Sequence, residues 1–296
     1  MELEVNKRIR FLKAGFFLYI LQYPHFRFKI IRWMEFINPK MIKEEIMINR
    51  KSRDEIKRMR HAGHIVALVH KKMKEVVEPG ISTKELDNIA MHVIKENKAI
   101  PTFLGYAGFP ACICTSINEK VVHGIPSEKE ILKEGDIIAI DVGATYGGMV
   151  GDSAWSYAVG KISEEKQMLM KATEEALFAG ISKMKAGNVL DDISGAVEDV
   201  ANSYKLGIVR QYGGHGVGHE MHEDPFLFNY RVGDQTLIKT NMVIAIEPML
   251  NLGGDDVFVE DDKWGVVTKD RKPSAHFEHT VLATDGDPIL MTTLMD

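Results

Sequence analysis

The fold is decided by one stretch of the chain, residues 135–153, GDIIAIDVGATYGGMVGDS. Its apolar run predicts a strand at residues 136–142, and the residues after the glycines predict a second strand at 153–159. A tight turn at Tyr146-Gly147 would join the two strands into a hairpin. The stretch therefore predicts an antiparallel strand pair at the centre of the fold.

The two aspartates of this hairpin indicate a metal site. Asp141 and Asp152 are equidistant from the predicted turn, so they are expected to lie opposite each other, with Cβ atoms about 5 Å apart. Two carboxylates that close repel each other unless a positive charge lies between them. A divalent metal ion would relieve the repulsion. The alternative is that one aspartate ends its strand in solvent and the other begins a turn.

Helical patterns flank the hairpin on both sides. Ser52 can cap a helix that carries Asp54 and Glu55 in its first turn, where negative charge suits the helix dipole. Apolar periodicity and capping residues predict further elements: helices at 82–95, 164–184 and 189–204, and strands at 243–246 and 280–283. Strand pairs interleaved with helix pairs predict an α+β fold, in which helices back a mostly antiparallel sheet.

A cluster of histidines lies at residues 212–225, YGGHGVGHEMHEDP. The paired glycines let the backbone bring the imidazoles of His215, His219 and His222 close to a shared centre. A lone histidine is more often a core or surface residue, but a glycine-flanked cluster favours function. The spacing does not settle which of the three would bind a metal.

Two glutamates and one histidine complete the set of chemical candidates. Glu247 in AIEPM and Glu278 in HFEHTV lie in or beside apolar runs, where a carboxylate is usually exposed at an edge or liganded. With the aspartates they form a hard, mainly oxygen ligand set, which suits two divalent ions bridged by carboxylates. A structural zinc site would instead need cysteines. His123, at the end of the β-like run NEKVVHGIP, would by itself pass for a loop histidine.

Composition excludes several classes of protein. The 296 residues are 45% apolar with a formal net charge of −5, so a globular core is expected and a sequence-specific nucleic-acid partner is not. Cys112 and Cys114 are too close for an unstrained disulfide, so both are predicted to be free thiols of a cytoplasmic protein. No apolar run approaches the roughly 20 residues of a membrane-spanning helix, so no transmembrane anchor is expected.

Five motifs in order resemble the methionine aminopeptidases: NEKVVHGIP, DVGATYGGMVGDSA, GGHGVGHEMHEDP, AIEPM and FEHT. The resemblance extends from about residue 52 to the C-terminus. Residues 216–246, between His215 and Glu247, leave no room for a large insertion. That spacing is similar to the type I form, whereas the type II form carries an extra helical insert there.

The resemblance implies a fold and an activity. The fold would be the pita-bread arrangement, a curved, mostly antiparallel sheet backed by helices, with two pseudo-symmetric halves that enclose the site. The activity would be hydrolytic removal of the N-terminal methionine from nascent polypeptides by a hydroxide that two divalent metal ions activate. Cobalt, manganese, iron and zinc all stay open as the metal, and a monomer is implied.

The resemblance also implies roles for individual residues. The metal ligands would be Asp141, Asp152, His215, Glu247 and Glu278. Asp152 and Glu278 would bridge the ions, and Glu247 would also move the proton. His123 would hydrogen-bond the substrate near the scissile amide, and His222 would help polarise its carbonyl. The methionine pocket would consist of Tyr106, Phe109, Cys114, Met221 and Trp264, with Phe103 less firmly placed.

Two alternative functions share this fold. A proline-specific aminopeptidase or prolidase has the same ligand set, but it normally carries a far larger N-terminal domain than this chain has room for. A binding protein that has lost its metals should lack ligands, whereas all five ligand positions are present. The departures from the family pattern, at Lys120, Val122 and His219, remove no ligand.

The N-terminal residues differ in composition from the rest. Residues 1–45 mix basic and aromatic side chains and are predicted to form an extension to a metallo-aminopeptidase domain at 46–296. The extension either packs its aromatic face on the main domain or docks on a partner such as the ribosome or a membrane surface.

Overall fold

Pairs of helices are followed by runs of antiparallel strands in the computed structural model, which describes residues 48–295. The predictions for residues 1–45 lie outside the described residues. Within the described part, the α+β prediction is confirmed. None of the helices there has both the length and the apolar composition that spanning a membrane requires. Cys112 and Cys114 are buried free thiols, as predicted.

The α-helices of the described residues are α1 Arg53–Val76, α2 Thr83–Glu96, α3 Glu164–Ile181 and α4 Leu190–Ser203. Both predicted serine caps form. The Ser52 side chain accepts a hydrogen bond from the Glu55 backbone, and Ser82 does the same for Glu85. The side chain of each glutamate in turn accepts a hydrogen bond from the backbone N–H of its serine. Two N–H groups at the start of each helix therefore have a hydrogen-bond partner. Helix α3 ends three residues earlier than predicted, because Lys183 and Met184 turn back to bond Gly180 and Ile181.

The strands are β1 Ile100–Pro101, β2 Ile113–Ile117, β3 Lys120–Val122, β4 Ile137–Tyr146, β5 Met149–Ala158, β6 Gly207–Ile208, β7 Gly214–Gly216, β8 Glu223–Leu227, β9 Val243–Ile246, β10 Met249–Asn251, β11 Val257–Val259, β12 Val266–Thr268, β13 Ser274–His276, β14 His279–Leu282 and β15 Ile289–Leu290. The pairings between these strands are antiparallel. A four-stranded sheet contains β4 and β5, and a five-stranded sheet has the order β15-β14-β9-β7-β8.

The register of the β4–β5 hairpin differs from the prediction. Asp141 lies opposite Ala154, and Asp152 lies opposite Gly143, so the expected direct opposition of the two aspartates is wrong. The turn residues are Gly147 and Gly148, both with positive φ (57° and 75°), as a two-residue hairpin turn requires. The turn centre therefore falls one residue later than predicted and the pairing shifts by two. A shift of two keeps both carboxylates on the same face of the sheet, as diagonal neighbours.

Each of the two helix pairs packs on a group of strands through its own apolar core. In the first core, α1 and α2 cover β2 and β4 through buried residues such as Val69, Leu86 and Ile140. In the second core, α3 and α4 cover the later strands through residues that include Leu177 and Ile246. Trp155 packs against both cores. Each fully buried Leu or Ile contributes about 1.5–3 kcal/mol of transfer free energy, so these cores hold the strands rigidly beneath the polar site.

Candidate metal centre

Three predicted ligands converge at one point between the two sheets. One ligand atom from each of Asp152, His215 and Glu278 lies within 4.8 Å of the other two, and all three side chains are buried. The His215 Nε2 atom is 3.6 Å from Asp152 Oδ2. Asp152 comes from β5, His215 from β7 and Glu278 from the link between β13 and β14. Residues more than 120 positions apart therefore share one buried polar centre.

Four hydrogen bonds hold Asp152 and Glu278 side by side. Thr280 Oγ1 donates to the Asp152 carbonyl at 2.8 Å and accepts from the Asp152 N–H at 3.3 Å. Ser153 Oγ donates to the Glu278 carbonyl at 2.6 Å, and the Glu278 N–H donates to the Ala154 carbonyl at 2.8 Å. The backbone of each acidic residue is thus fixed to the segment that carries the other.

His215 reaches the centre because glycines flank it on a crowded strand. β7 pairs with β8 on one side and β9 on the other. A Cβ added at Gly214 would lie 2.2 Å from the Ala245 carbonyl oxygen, and one at Gly216 would lie 2.2 Å from that of Asp224. Any larger residue at either position would push the neighbouring strand away from the imidazole.

The tautomer of His215 suits a metal ligand. Its Nδ1 lies 2.9 Å from the Gly216 carbonyl, which can only accept, so Nδ1 carries the proton. Burial lowers the pKa of His215 to about 3, so the ring is neutral and Nε2 presents a lone pair. That lone pair faces Asp152 Oδ2 at 3.6 Å and Glu247 Oε1 at 3.5 Å. A divalent cation between these three electron-rich atoms would relieve their mutual repulsion.

The four carboxyl groups are strongly perturbed by their burial. Desolvation raises the pKa of Asp141 to about 7, with Glu247 adding to the rise. Desolvation also raises the pKa of Asp152, Glu247 and Glu278 well above the usual range, and for Asp152 and Glu278 repulsion among the carboxylates adds to it. Buried carboxylates that repel one another create a strong demand for positive charge at this point.

The unpaired atoms of the site test whether a metal fits. Within residues 48–295, Asp141 Oδ1, Asp152 Oδ1, Glu278 Oε1 and His276 Nε2 are buried without a hydrogen-bond partner. Native buried polar atoms almost always have partners, so a group of such atoms in one place needs an explanation. Carboxylate oxygens with one neutral imidazole are a donor set that divalent ions accept. The residues present therefore fit a divalent metal.

The three clustered histidines separate in space. His222 packs against His215, with ring centroids 4.3 Å apart, and its Nδ1 is 2.7 Å from the Tyr106 hydroxyl. His219 turns outward, its side chain 49% exposed, and its Nε2 contacts Glu55 Oε1 at 2.6 Å. The structure thus places His215 and His222, but not His219, at the centre, which the spacing alone left open.

His123 lies in strained backbone at the end of β3. Its φ of 61° is in the left-handed region, which a non-glycine residue seldom adopts outside functional sites and turns. Burial, together with the nearby His222 and His276, lowers the pKa of His123 to about 4, so its imidazole is neutral. Its ring packs edge-on against Tyr212, with centroids 5.6 Å apart.

Most of the predicted methionine pocket forms one apolar cluster. Its members among the predicted residues are Phe103, Phe109, Cys114 and Met221, with Trp264 packed against them. The rings of Phe109 and Trp264 meet edge to face at 5.0 Å. The cluster adjoins the polar centre, because Cys114 on β2 lies directly opposite Asp141 on β4. Tyr106 is placed differently: it is 41% exposed and contacts His222 through its hydroxyl.

Two features of the site are missing from the sequence prediction. His276 is buried, and its Nε2 lies 3.5 Å from Glu247 Oε2. Its position two residues before Glu278 in an extended segment is a signal that could have found it. Lys51 is 2% exposed and forms an ion pair with Glu223, next to His222. No sequence signal links Lys51 with Glu223, because 172 positions separate them.

Comparison with known proteins agrees with this arrangement. The model of metallopeptidase family M24 matches residues 57–285. Methionine aminopeptidase 1 of Bacillus subtilis (strain 168) is 48% identical over 240 residues, which cover 81% of this chain and 96% of that protein. The chain belongs to the methionine aminopeptidases of family M24. Membership of a metallopeptidase family implies the use of divalent metal.

Solved structures show the same fold in the family. Methionine aminopeptidase from Thermotoga maritima is 38% identical, with a TM-score of 0.82 over 83% of this chain and 100% of that one. Prolidase from Pyrococcus furiosus has a TM-score of 0.65 at 23% identity, covering 87% of this chain and 68% of that one, which shows the shared fold alone. The predicted family and its pita-bread fold are confirmed. As expected for the type I form, residues 216–246 contain no helix.

Proposed function

We propose that this protein removes the N-terminal methionine from nascent polypeptides and peptides by metal-assisted hydrolysis. The observation that supports this most directly is the meeting of Asp152, His215 and Glu278 within 4.8 Å at a buried point. The adjoining apolar cluster around Cys114 supplies side chains that would pack against an unbranched thioether. A cation site beside an apolar cluster suits an exopeptidase that recognises a terminal methionine.

We further propose that Asp141, Asp152, His215, Glu247 and Glu278 hold two divalent ions. Of these five, Asp152 and Glu278 are fixed side by side by backbone hydrogen bonds, so both would be available to either ion. Divalent ions bound there would supply Lewis acidity and lower the pKa of water toward neutrality. Cobalt, manganese, iron and zinc all suit such a ligand set, and their availability in the cell decides among them.

His222 is proposed to donate a hydrogen bond to the substrate carbonyl. Burial lowers the pKa of His222 and raises that of Tyr106, so the imidazole is neutral and the phenol is protonated. A phenol that donates to Nδ1 leaves the imidazole proton on Nε2, on the other side of the ring. A fixed donor of this kind stabilises negative charge as it develops on the carbonyl oxygen.

Glu247 and His123 are proposed to act on the nitrogen side of the scissile bond. The Glu247 carboxylate lies against His215 and is raised in pKa by burial, so it can take a proton from the attacking water. It then passes that proton to the leaving amine. His123, which is neutral and held in strained backbone, would hydrogen-bond the substrate near that amide.

The first test is peptide cleavage with and without metal. The full-length protein dialysed against a chelator is expected to release no methionine from Met-Ala-Ser, and added Co²⁺ or Mn²⁺ is expected to restore the release. A matched Xaa-Pro peptide should stay intact under both conditions. Cleavage of the Xaa-Pro peptide in preference to Met-Ala-Ser would favour the proline-specific alternative, and binding without cleavage would favour a binding protein.

A Tyr106→Phe variant tests the role of the His222 tautomer. The variant loses one hydrogen bond to a neutral imidazole, about 1 kcal/mol, so kcat on Met-Ala-Ser is expected to fall roughly five-fold with little change in KM. Tyr204→Phe is the matched control, because its hydroxyl makes an equally short bond of 2.7 Å to Glu175 on the surface of α3. Equal kcat values for the two variants would argue against the proposed role.

The remaining expectations stay predictions from the sequence. They are that residues 1–45 dock on the ribosome or pack on the catalytic domain, that the protein is a monomer, and that it acts in the cytoplasm.

A further inference from the structure

His276 is a buried imidazole whose backbone is held firmly in place. It is the last residue of β13 and lies opposite Met249 of β10. Ser156 Oγ donates to the His276 carbonyl at 2.9 Å and accepts from the His276 N–H at 3.1 Å. The side chain is 2% exposed. Strand pairing and two hydrogen bonds fix the main chain, and burial restricts the rotation of the ring.

The ring of His276 faces the carboxylate of Glu247. Its Nε2 atom is 3.5 Å from Glu247 Oε2, and the other oxygen of Glu247, Oε1, is 3.5 Å from His215 Nε2. Glu247 therefore lies between two imidazoles. Within the described residues, the Nε2 atom of His276 has no hydrogen-bond partner. Among the described residues, the carboxylate oxygen nearest to it is Glu247 Oε2, a few tenths of an ångström beyond normal hydrogen-bond distance.

We propose that His276 is a positioning residue for Glu247: its Nε2–H group donates to Glu247 Oε2 and so keeps Oε1 turned toward the metal centre. This assignment rests on the proposed function insofar as Glu247 is taken to be a ligand. A ligating carboxylate that is itself hydrogen-bonded keeps one orientation. Loss of such a partner typically lowers metal affinity about 10- to 100-fold.

The two imidazoles beside Glu247 are thereby assigned opposite tautomers. His215 carries its proton on Nδ1, because Nδ1 bonds the Gly216 carbonyl, and so presents a lone pair to the centre. His276 must carry its proton on Nε2 in order to donate to a carboxylate. One oxygen of Glu247, Oε2, is then held by His276, and the other oxygen, Oε1, stays free to bind the metal.

Metal titration of the full-length protein tests this assignment. With Co²⁺ as the probe in isothermal titration calorimetry, His276→Leu is expected to bind about 10- to 100-fold more weakly than the wild type. His276→Gln retains an N–H donor at a similar reach, so its affinity should stay close to that of the wild type. His279→Leu is the matched control, because the His279 ring contacts Thr292 and Trp155 instead of Glu247. The control should lose stability without losing Co²⁺ affinity.

Two results would overturn the proposal: a folded His276→Leu variant with wild-type Co²⁺ affinity, or a His276→Gln variant as weak as His276→Leu. If His276→Leu does not fold, NMR of ¹⁵N-histidine-labelled wild type decides, since the Nε2–H tautomer supports the assignment and the Nδ1–H tautomer contradicts it. A wild type that binds no Co²⁺ would overturn the proposed function together with this inference. A wild type that binds Co²⁺ but leaves Met-Ala-Ser intact would overturn the proposed activity alone.

Discussion

An Asp152→Asn variant is expected to lose Co²⁺ affinity and cleavage of Met-Ala-Ser by more than about 100-fold, because removing a mere hydrogen-bond partner of a ligand already has effects up to that size. Asparagine has nearly the same shape, so the two hydrogen bonds between the residue-152 backbone and Thr280 Oγ1 should persist. The variant lacks the negative charge that Asp152 directs at His215 and Glu278. The loss should therefore appear in metal binding and kcat together.

Unlike metal affinity and cleavage, the stability of the metal-free protein should not fall in the Asp152→Asn variant. In the absence of metal, Asp141 and Glu247 repel the Asp152 carboxylate, and burial already disfavours its charge. Neutralising it is therefore expected to leave the free energy of unfolding unchanged or to raise it. Calorimetry on the metal-free proteins measures this directly. Wild-type cleavage by this variant with metal supplied would show that Asp152 is not a metal ligand.

Asp199→Asn is a suitable control for this experiment. Asp199 lies on α4, its side chain is 65% exposed, and it pairs with Arg231 at the surface. Exposed pairs of this kind contribute about 1 kcal/mol or less, so the variant should retain both stability and Co²⁺ affinity. A loss of affinity in Asp199→Asn would mean that general charge, rather than the ligand itself, governs metal binding.

A Lys51→Met variant is expected to lower the free energy of unfolding by about 3–5 kcal/mol, because it leaves the partner of a buried ion pair unpaired. Lys51 Nζ lies 2.5 Å from Glu223 Oε2, and the two side chains are 1% and 13% exposed. Methionine fills a similar volume, so the loss reflects charge rather than packing. At roughly 2–4 °C per kcal/mol for a domain of this size, the fall in Tm should be large in a thermal melt.

The same variant should also impair the site. The second oxygen of Glu223 accepts hydrogen bonds from the backbone N–H groups of His219 and Glu220, at 2.7 and 3.2 Å. The Lys51–Glu223 ion pair thus connects the loop that carries His222 to the segment before α1, and so stabilises the position of that loop. When the lysine is lost, this loop is expected to shift, and kcat should fall along with stability.

Two comparisons make the Lys51 prediction specific. Lys72→Met removes an exposed pair with Glu75 on α1, 3.0 Å apart and about half exposed, and should change stability by about 1 kcal/mol or less. The double variant Lys51→Met/Glu223→Gln should recover part of the lost stability, since no buried charge is left alone. If Lys51→Met lowered the free energy of unfolding no more than Lys72→Met does, the buried ion pair would contribute little to stability.

Much of the fold follows from local patterns in the chain. Ser52 and Ser82 cap helices as predicted because capping depends on residues within one turn of each other. The β4–β5 hairpin was recognisable, but its register was not, since Tyr146-Gly147 and Gly147-Gly148 are both plausible turns in sequence. The positive φ of both glycines selects the second, and every cross-strand pair shifts with it.

Short stretches of the chain indicate the family, the helices and the kinds of atom available to bind a metal, because motifs and periodicity are local properties. Which of these atoms meet depends on the tertiary structure. It separated His219 from His215, turned Tyr106 toward His222, and placed His276 and Lys51 against distant glutamates. Those contacts join residues far apart in the chain, and they depend on how buried strands and helices pack. No local pattern of residues encodes that packing.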